Sequence, residues 1–130
     1  MSVTNDMIQA AKDAASHAYI PYSHFPVGAA FHTPDGQIIT GCNIENASFG
    51  LSNCAERTAI FKAISEGITH FDALYIYGET QEPISPCGAC RQVIAEFCAA
   101  DMPVYLLSKT DKVKETSVGE LLPYSFTELN

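Results

Sequence analysis

The residue pattern predicts an α/β sandwich, a mixed sheet covered by helices, on three observations. Short runs rich in β-branched and aromatic residues alternate with segments whose apolar residues recur at helical spacing, the arrangement that lays helices over a sheet. The first two strand-like runs are separated only by Pro34-Asp35-Gly36, a tight-turn sequence, so the alternation is preceded by an antiparallel hairpin and the sheet is mixed. At 130 residues and 47% hydrophobic, the chain can bury one sizeable core and has the usual size of one domain, so residues 1–130 are expected to form a single unit.

Taken in order, Met7, Ile8, Ala11, Ala14, Ala15 and Ala18 recur at helical spacing. They predict a first helix over about residues 5–19, capped by Thr4 and stopped by Pro21. Residues 27–33 and 37–42 are the hairpin strands. A polar, glycine-containing stretch, 43–53, leads into a helix over 54–66, where Ala55, Ala59, Ile60, Ala63 and Ile64 form one apolar face and Gly67 closes it. Residues 71–77 read as a strand, 79–86 as a loop, and 89–100 as a third helix through Val93, Ile94, Phe97 and Cys98. Residues 103–107 read as another strand and 108–112 as a turn. Ser117 with Glu120 has capping-box spacing for a short last helix at Leu121 and Leu122.

Composition removes several classes of function. A formal charge of −8 gives a field that repels polyphosphate, so a nucleic-acid partner is not expected. The apolar runs are too short for a membrane span and the start of the chain lacks the basic-then-apolar pattern of a signal peptide, so no membrane partner is expected either. Five cysteines, an odd number, then suggest the reducing cytoplasm, where clustered thiols serve as metal ligands or catalysts more often than as disulfides.

Cys87 and Cys90 lie three residues apart in the first turn of the third helix, on one side and within reach of one metal. The helix N-terminus favours their anionic form, which both metal binding and disulfide exchange require. At this point a metal site and a thioredoxin-like redox pair are both open. Cys54 separates them: it opens the second helix as the pair opens the third, so three thiols at two helix ends can converge, and a redox pair needs no third thiol. Three protein ligands with one exchangeable position is the arrangement of a catalytic zinc site, whereas a structural site closes all four positions with protein groups. Cys42 ends an apolar strand and Cys98 lies on a buried helix face, so both read as small packing hydrophobes. His17, His24, His32 and His70 are scattered singly, none at ligand spacing from the cysteines.

Glu56 follows Cys54 by two residues, about 200° around an ideal helix. Both can address one metal only if the helix points its N-terminus at the site, where Glu56 could reach a water on the metal. The competing reading is a plain helix cap, with Glu56 bonding back to the Asn53 amide. Arg57 lies three residues after Cys54, where a guanidinium could donate to thiolates and offset the net negative charge that three of them leave on Zn²⁺.

Cys54-Ala55-Glu56 followed by Pro86-Cys87-Gly88-Ala89-Cys90 resembles the zinc deaminase signature of His/Cys-x-Glu and Pro-Cys-x-x-Cys. More closely, residues 25–30 (Phe-Pro-Val-Gly-Ala-Ala), 41–47 (Gly-Cys-Asn-Ile-Glu-Asn-Ala) and 54–59 (Cys-Ala-Glu-Arg-Thr-Ala) resemble the small, three-cysteine, homotetrameric cytidine deaminase family. The likeness extends from Tyr22 to Phe126. It implies a three-layer α/β/α sandwich on a mixed sheet of about five strands, and hydrolytic deamination of cytidine and deoxycytidine to uridine and deoxyuridine in pyrimidine salvage, with one zinc per subunit held by Cys54, Cys87 and Cys90. Zinc supplies hydroxide at neutral pH for attack on C4, and Glu56 takes the water proton, delivers it to N3 and helps ammonia leave. The resemblance further implies that Asn43 and Glu45 grip the ribose hydroxyls, which fits residues two apart in an extended segment pointing the same way. By the same matching, Phe25 lines the base pocket, the backbone at Ala55 reads the pyrimidine edge, and Phe126 reaches into a neighbouring subunit's site at an interface of the homotetramer. Phe49 stands where members of the family commonly carry Tyr, so this position offers no phenolic contact to the sugar.

Three alternatives make different demands. A deaminase of another aminonucleoside, such as an antibiotic, would keep the zinc motif and change the pocket; a Cys-x-x-Cys disulfide oxidoreductase would cycle Cys87 and Cys90 and dispense with Cys54; a structural-zinc module would close four protein ligands around the metal and turn nothing over.

Overall fold

The computed structural model describes residues 3–128. Five strands, β1 (Val27–His32), β2 (Ile38–Cys42), β3 (Ala73–Gly78), β4 (Pro103–Leu107) and β5 (Val113–Ser117), form one sheet in the order β2-β1-β3-β4-β5. β1 is antiparallel to both β2 and β3, β3 and β4 are parallel, and β5 returns antiparallel to β4. The mixed sheet is therefore the hairpin joined to a β3-α3-β4 crossover, with helix α3 spanning Gly88–Phe97.

Strand alternation sorts the core into two faces. Ala30, Tyr75 and Leu107 point to the face covered by helix α1 (Val3–Ala15) through Met7 and Ala11. Ala29, Phe31, Leu74, Ile76, Val104 and Leu106 point to the other face, covered by α3 and by α2 (Ala55–Ser65) through Ala55, Ala59, Ile60, Cys90 and Ile94. Layers of helix, sheet and helix result, the three-layer α/β/α sandwich expected.

Glycines in β1 and β2 set how closely the helices sit. A Cβ built on Gly28 would stand 2.0 Å from the Ala11 carbonyl oxygen of α1, and one on Gly41 would stand 2.5 Å from the Ala59 amide nitrogen and 2.7 Å from the Ala55 carbonyl oxygen of α2. The atoms met are backbone and cannot rotate aside, so Gly41→Ala has to push α2 off the sheet. An overpacking cost of about 3 kcal/mol is expected. Urea or thermal unfolding of Gly41→Ala measures it, and an unchanged midpoint would contradict the close approach.

Several boundaries differ from the sequence expectation. α1 begins at Val3, so Thr4 lies inside it and is not its cap, and it ends at Ala15, well before Pro21. The chain leaves the helix through tight turns at Ser16, His17 and Ala18, because the Tyr19 amide is taken by the Asn43 carbonyl oxygen at 3.0 Å in a bridge between Tyr19 and Ile44. A long-range backbone pairing overrides local periodicity there. β5 follows the expected turn, in a stretch given no element, and has no hydrophobic alternation, since Val113, Lys114 and Glu115 are exposed on an edge strand paired with β4. α2 stops as expected at Gly67, φ +86°, in a Schellman arrangement: the Ile68 amide donates to the Ala63 carbonyl and the Gly67 amide to the Ile64 carbonyl. The final helix α4 (Val118–Leu121) starts at Ser117, whose hydroxyl accepts from the Glu120 amide at 3.2 Å. Among the described residues, no helix is long and apolar enough to cross a membrane.

Candidate metal centre and active site

α2 and α3 bring their N-termini together on one side of the sheet, each entered by a cysteine in extended conformation. Cys54 (φ −78°, ψ 157°) and Cys87 (φ −68°, ψ 166°) are the N-cap residues of α2 and α3, and neither spends its side chain on a cap hydrogen bond. Cys90 sits one turn inside α3 and is fully buried. The Cys54 and Cys87 sulfurs are 3.7 Å apart and those of Cys87 and Cys90 3.4 Å, and all three lie within 4.8 Å of one another. A tetrahedral ion with metal–sulfur bonds of about 2.3 Å needs sulfurs about 3.8 Å apart, so the trio fits a zinc-sized ion.

The N-cap geometry resolves the placement of Glu56. Because Cys54 lies outside the helix proper, the 200° offset of an ideal helix does not apply to it. The Asn53 amide donates to the Ile44 carbonyl at 2.8 Å, so Glu56 is not its partner in a capping box. Glu56 is 4% exposed, and it lines a cavity of about 230 Å³ together with Cys54, Cys87, Phe25, Asn43 and Ala55. Burial pushes its carboxyl up to about 7, with the nearby Cys54 charge adding to the shift and Arg57 opposing it. A carboxyl that titrates near neutrality can both accept and release a proton at working pH.

Arg57 donates from its guanidinium to the Cys54 sulfur at 3.3 Å, while its buried Nε has no hydrogen-bond partner among the described residues. The Cys90 thiol, and after it Arg57 and Cys87, hold the Cys54 thiol well below its ordinary value against the effect of burial. Cys90 is pushed upward in turn by its contact with Cys54 and by burial. The other two cysteines are apart from this group. Burial pushes the Cys98 thiol up to about 12 and raises that of Cys42, which suits packing residues.

The chain has the cysteine cluster, the buried carboxyl and the sheet topology, and it matches the family model described as the cytidine and deoxycytidylate deaminase zinc-binding region over residues 1–106. The chain belongs to that deaminase family. The cytidine deaminase of Sporosarcina psychrophila is 54% identical over 122 residues, 94% of this chain and 90% of that protein. That of Halalkalibacterium halodurans is 54% identical over 121 residues, 93% of this chain and 92% of that protein. The crystal structure of cytidine deaminase from Burkholderia pseudomallei superposes with a TM-score of 0.92 at 50% identity, covering 97% of this chain and 100% of that one. The zinc-binding region of the deaminase family and the three-sulfur cluster together fit one zinc ion per subunit.

The remaining candidate residues are distributed around the deaminase cavity in two groups. Asn43 uses its amide to hold the chain that carries Phe25: its Oδ1 accepts from the Val27 amide at 2.9 Å and its Nδ2 donates to the Phe25 carbonyl at 2.8 Å. Glu45 lies in a second, open cavity with Tyr22, Ser23, Phe49 and Ser52. There its carboxylate accepts from the amides of Tyr22 and Ser23, each at 3.1 Å, and from the Ser23 hydroxyl. Ser23 above all keeps the Glu45 carboxyl below the usual range. Phe126 is exposed and lines neither cavity of its own chain; its carbonyl accepts from the Gln92 side-chain amide at 2.7 Å.

Ile84, Ser85, Tyr22 and Ser23 also line these cavities and were not singled out from the sequence. Pro83 and Pro86, which stiffen the loop carrying Ile84 and Ser85 to Cys87, were the available signal. Arg91 braces that loop by donating to the carbonyls of Pro86 and Leu121, each at 2.9 Å.

Proposed function

We propose that the chain is a zinc-dependent hydrolase that deaminates cytidine and deoxycytidine to uridine and deoxyuridine with release of ammonia. The observation that carries this reading is the buried Glu56 carboxyl in the same cavity as two of the three clustered cysteines, in a chain whose 54%-identical relatives are cytidine deaminases. Cys54, Cys87 and Cys90 would hold the ion, and zinc in such a thiolate set supplies hydroxide at neutral pH. Arg57, donating to the Cys54 sulfur, offsets the negative charge of the sulfurs.

Glu56 takes a proton from the attacking water onto its carboxylate and gives it to N3 of the ring; it then takes the proton of the hydroxyl added at C4 and gives it to the amino group, which departs as ammonia. Its burial limits the access of bulk water to the carboxyl. Phe25 forms an apolar wall for the pyrimidine, and Asn43 and Glu45 bind the sugar hydroxyls. The backbone at Ala55, fully buried at the start of α2, reads the polar edge of the base. A redox role for Cys87 and Cys90 would leave both Cys54 and the adjacent buried carboxyl without a task. For the intact protein, the expected result is uridine and ammonia in equal amounts from cytidine and one zinc per chain by metal analysis; a protein that turns over only oligonucleotides, or carries no zinc, overturns the reading.

Residues 1–130 act as one domain in this reading, since the five strands form one sheet and the cavity draws on residues from both of its halves. The free thiols suit the reducing cytoplasm. We assign the working form as a homotetramer with sites at the subunit interfaces, where Phe126 enters a neighbour's site. Supporting it, Phe49 and Leu51 are 76% and 72% exposed beside the Glu45 cavity, and Tyr22 stacks edge-on against Phe49 at 6.1 Å, an apolar patch that a second copy would cover. Leu51→Asp is expected to shift the mass measured by sedimentation or light scattering toward smaller species, and an unchanged mass argues against this face as the interface.

A further inference from the structure

The two sugar-binding candidates do more than face a ligand: both are bonded to the loop that carries Phe25, and one side chain joins the two ends of that arrangement. The Ser23 hydroxyl donates to Glu45 Oε2 and accepts from the Phe25 amide at 3.1 Å. The same carboxylate takes the amides of Tyr22 and Ser23 on Oε1. An ionised carboxyl has about four acceptor directions. Three are filled by this loop, and one is left. His24, between Ser23 and Phe25, is in the left-handed region at φ +57°, an uncommon conformation for a residue with a side chain, so the loop is kept in a sharp bend by the bonds on either side of it. Asn43 completes the frame by holding the Phe25 carbonyl and the Val27 amide.

We propose that Ser23 is a positioning residue for nucleoside binding: its hydroxyl orients the Glu45 carboxylate toward a sugar hydroxyl and ties that orientation to the placement of the Phe25 wall. This rests on the reading of Glu45 as a sugar-binding group. Ser23 touches neither the base nor the reacting atoms, so its loss acts on substrate affinity while proton transfer at Glu56 continues. In Ser23→Ala, Oε2 loses its fixed donor and the carboxylate can turn toward water. The Phe25 amide loses its acceptor at the same time.

Steady-state kinetics of the zinc-loaded protein test this with cytidine and with 2′,3′-dideoxycytidine, which lacks both ring hydroxyls. For cytidine, Ser23→Ala is expected to raise KM about tenfold, the scale of one hydrogen bond to a charged group, with kcat within about twofold of the parent. For the dideoxy substrate the change in KM is expected to stay within about twofold, because Asn43 still holds the Phe25 carbonyl and keeps the wall in place, and Ser23→Thr, which keeps the hydroxyl, restores the KM for cytidine. Combining Ser23→Ala with Glu45→Gln is expected to add little to Glu45→Gln alone, because the two act through one carboxylate. If Glu45→Gln raises KM for cytidine and Ser23→Ala does not, the positioning role is overturned and the sugar reading of Glu45 stands. Where Glu45→Gln leaves KM unchanged, both fall. A Ser23→Ala protein with reduced kcat and unaltered KM, or with KM raised equally for both substrates, shows that the hydroxyl merely shapes the loop.

Discussion

Glu56→Gln lowers kcat for cytidine by about 10²–10⁴-fold, the range over which a positioned acid–base group accelerates proton transfer, while the protein keeps its zinc. Glutamine fills the same space and can still hydrogen-bond at the mouth of α2, but it cannot carry one proton from water to the ring and a second from the C4 hydroxyl to the leaving nitrogen. Because the interaction is made in the transition state, kcat and kcat/KM fall together. Uridine formation and metal content measured on the same preparation decide the matter: turnover near that of the parent, with zinc present, removes Glu56 from the proton path. The buried position makes the outcome sharp. A carboxyl 4% exposed has little solvent to replace it as a proton carrier.

Cys87→Ala removes the exposed member of the sulfur trio and, with it, the metal. Loss of a group that only hydrogen-bonds to a metal ligand costs about 10–100-fold in affinity, and loss of a ligand itself costs more, so the variant is expected to purify with little zinc and no deaminase activity. A stability readout accompanies the activity readout. For the chelator-treated parent, zinc at 100 times its dissociation constant stabilises the folded state by about 2.7 kcal/mol, worth about 10 °C in midpoint for a chain of this length. Cys87→Ala shows no such rise. Because Cys98 is a buried core residue outside the sulfur trio, Cys98→Ala serves as the contrast: it destabilises by lost packing and leaves the zinc-dependent rise in place. Equal zinc content in Cys87→Ala and the parent would remove Cys87 from the ligand set.

Most of the elements that carry the site were legible in the chain because their signals are local. Helical spacing in 54–66 and 89–100, the Pro-Asp-Gly turn, the glycine after α2 and the Ser117–Glu120 cap each act within a few residues, and each leaves its mark in composition. β5 left none, because an exposed edge strand is held by backbone bonds to β4 and needs no apolar alternation. The end of α1 was misplaced for a related reason: Tyr19 is drawn out of the helical path by Asn43 and Ile44, more than twenty residues away in the chain.

The same division runs through the active site. Cysteine spacing and helix-end chemistry were sufficient to point to three thiols on one metal, and the matched motif then supplied the reaction, since those features depend on residue identity at short range and on the conserved chemistry of thiolates. Only the packed structure decided that Cys54 is an N-cap with its sulfur free, that Asn53 gives its amide to Ile44 and so releases Glu56 from capping, and that Glu56 is buried enough to titrate near neutrality. The Ser23–Glu45 bond likewise joins residues 22 positions apart in the chain. Burial and long-range hydrogen bonds depend on which segments the sheet brings side by side, a property of the whole fold that no short window of the chain contains.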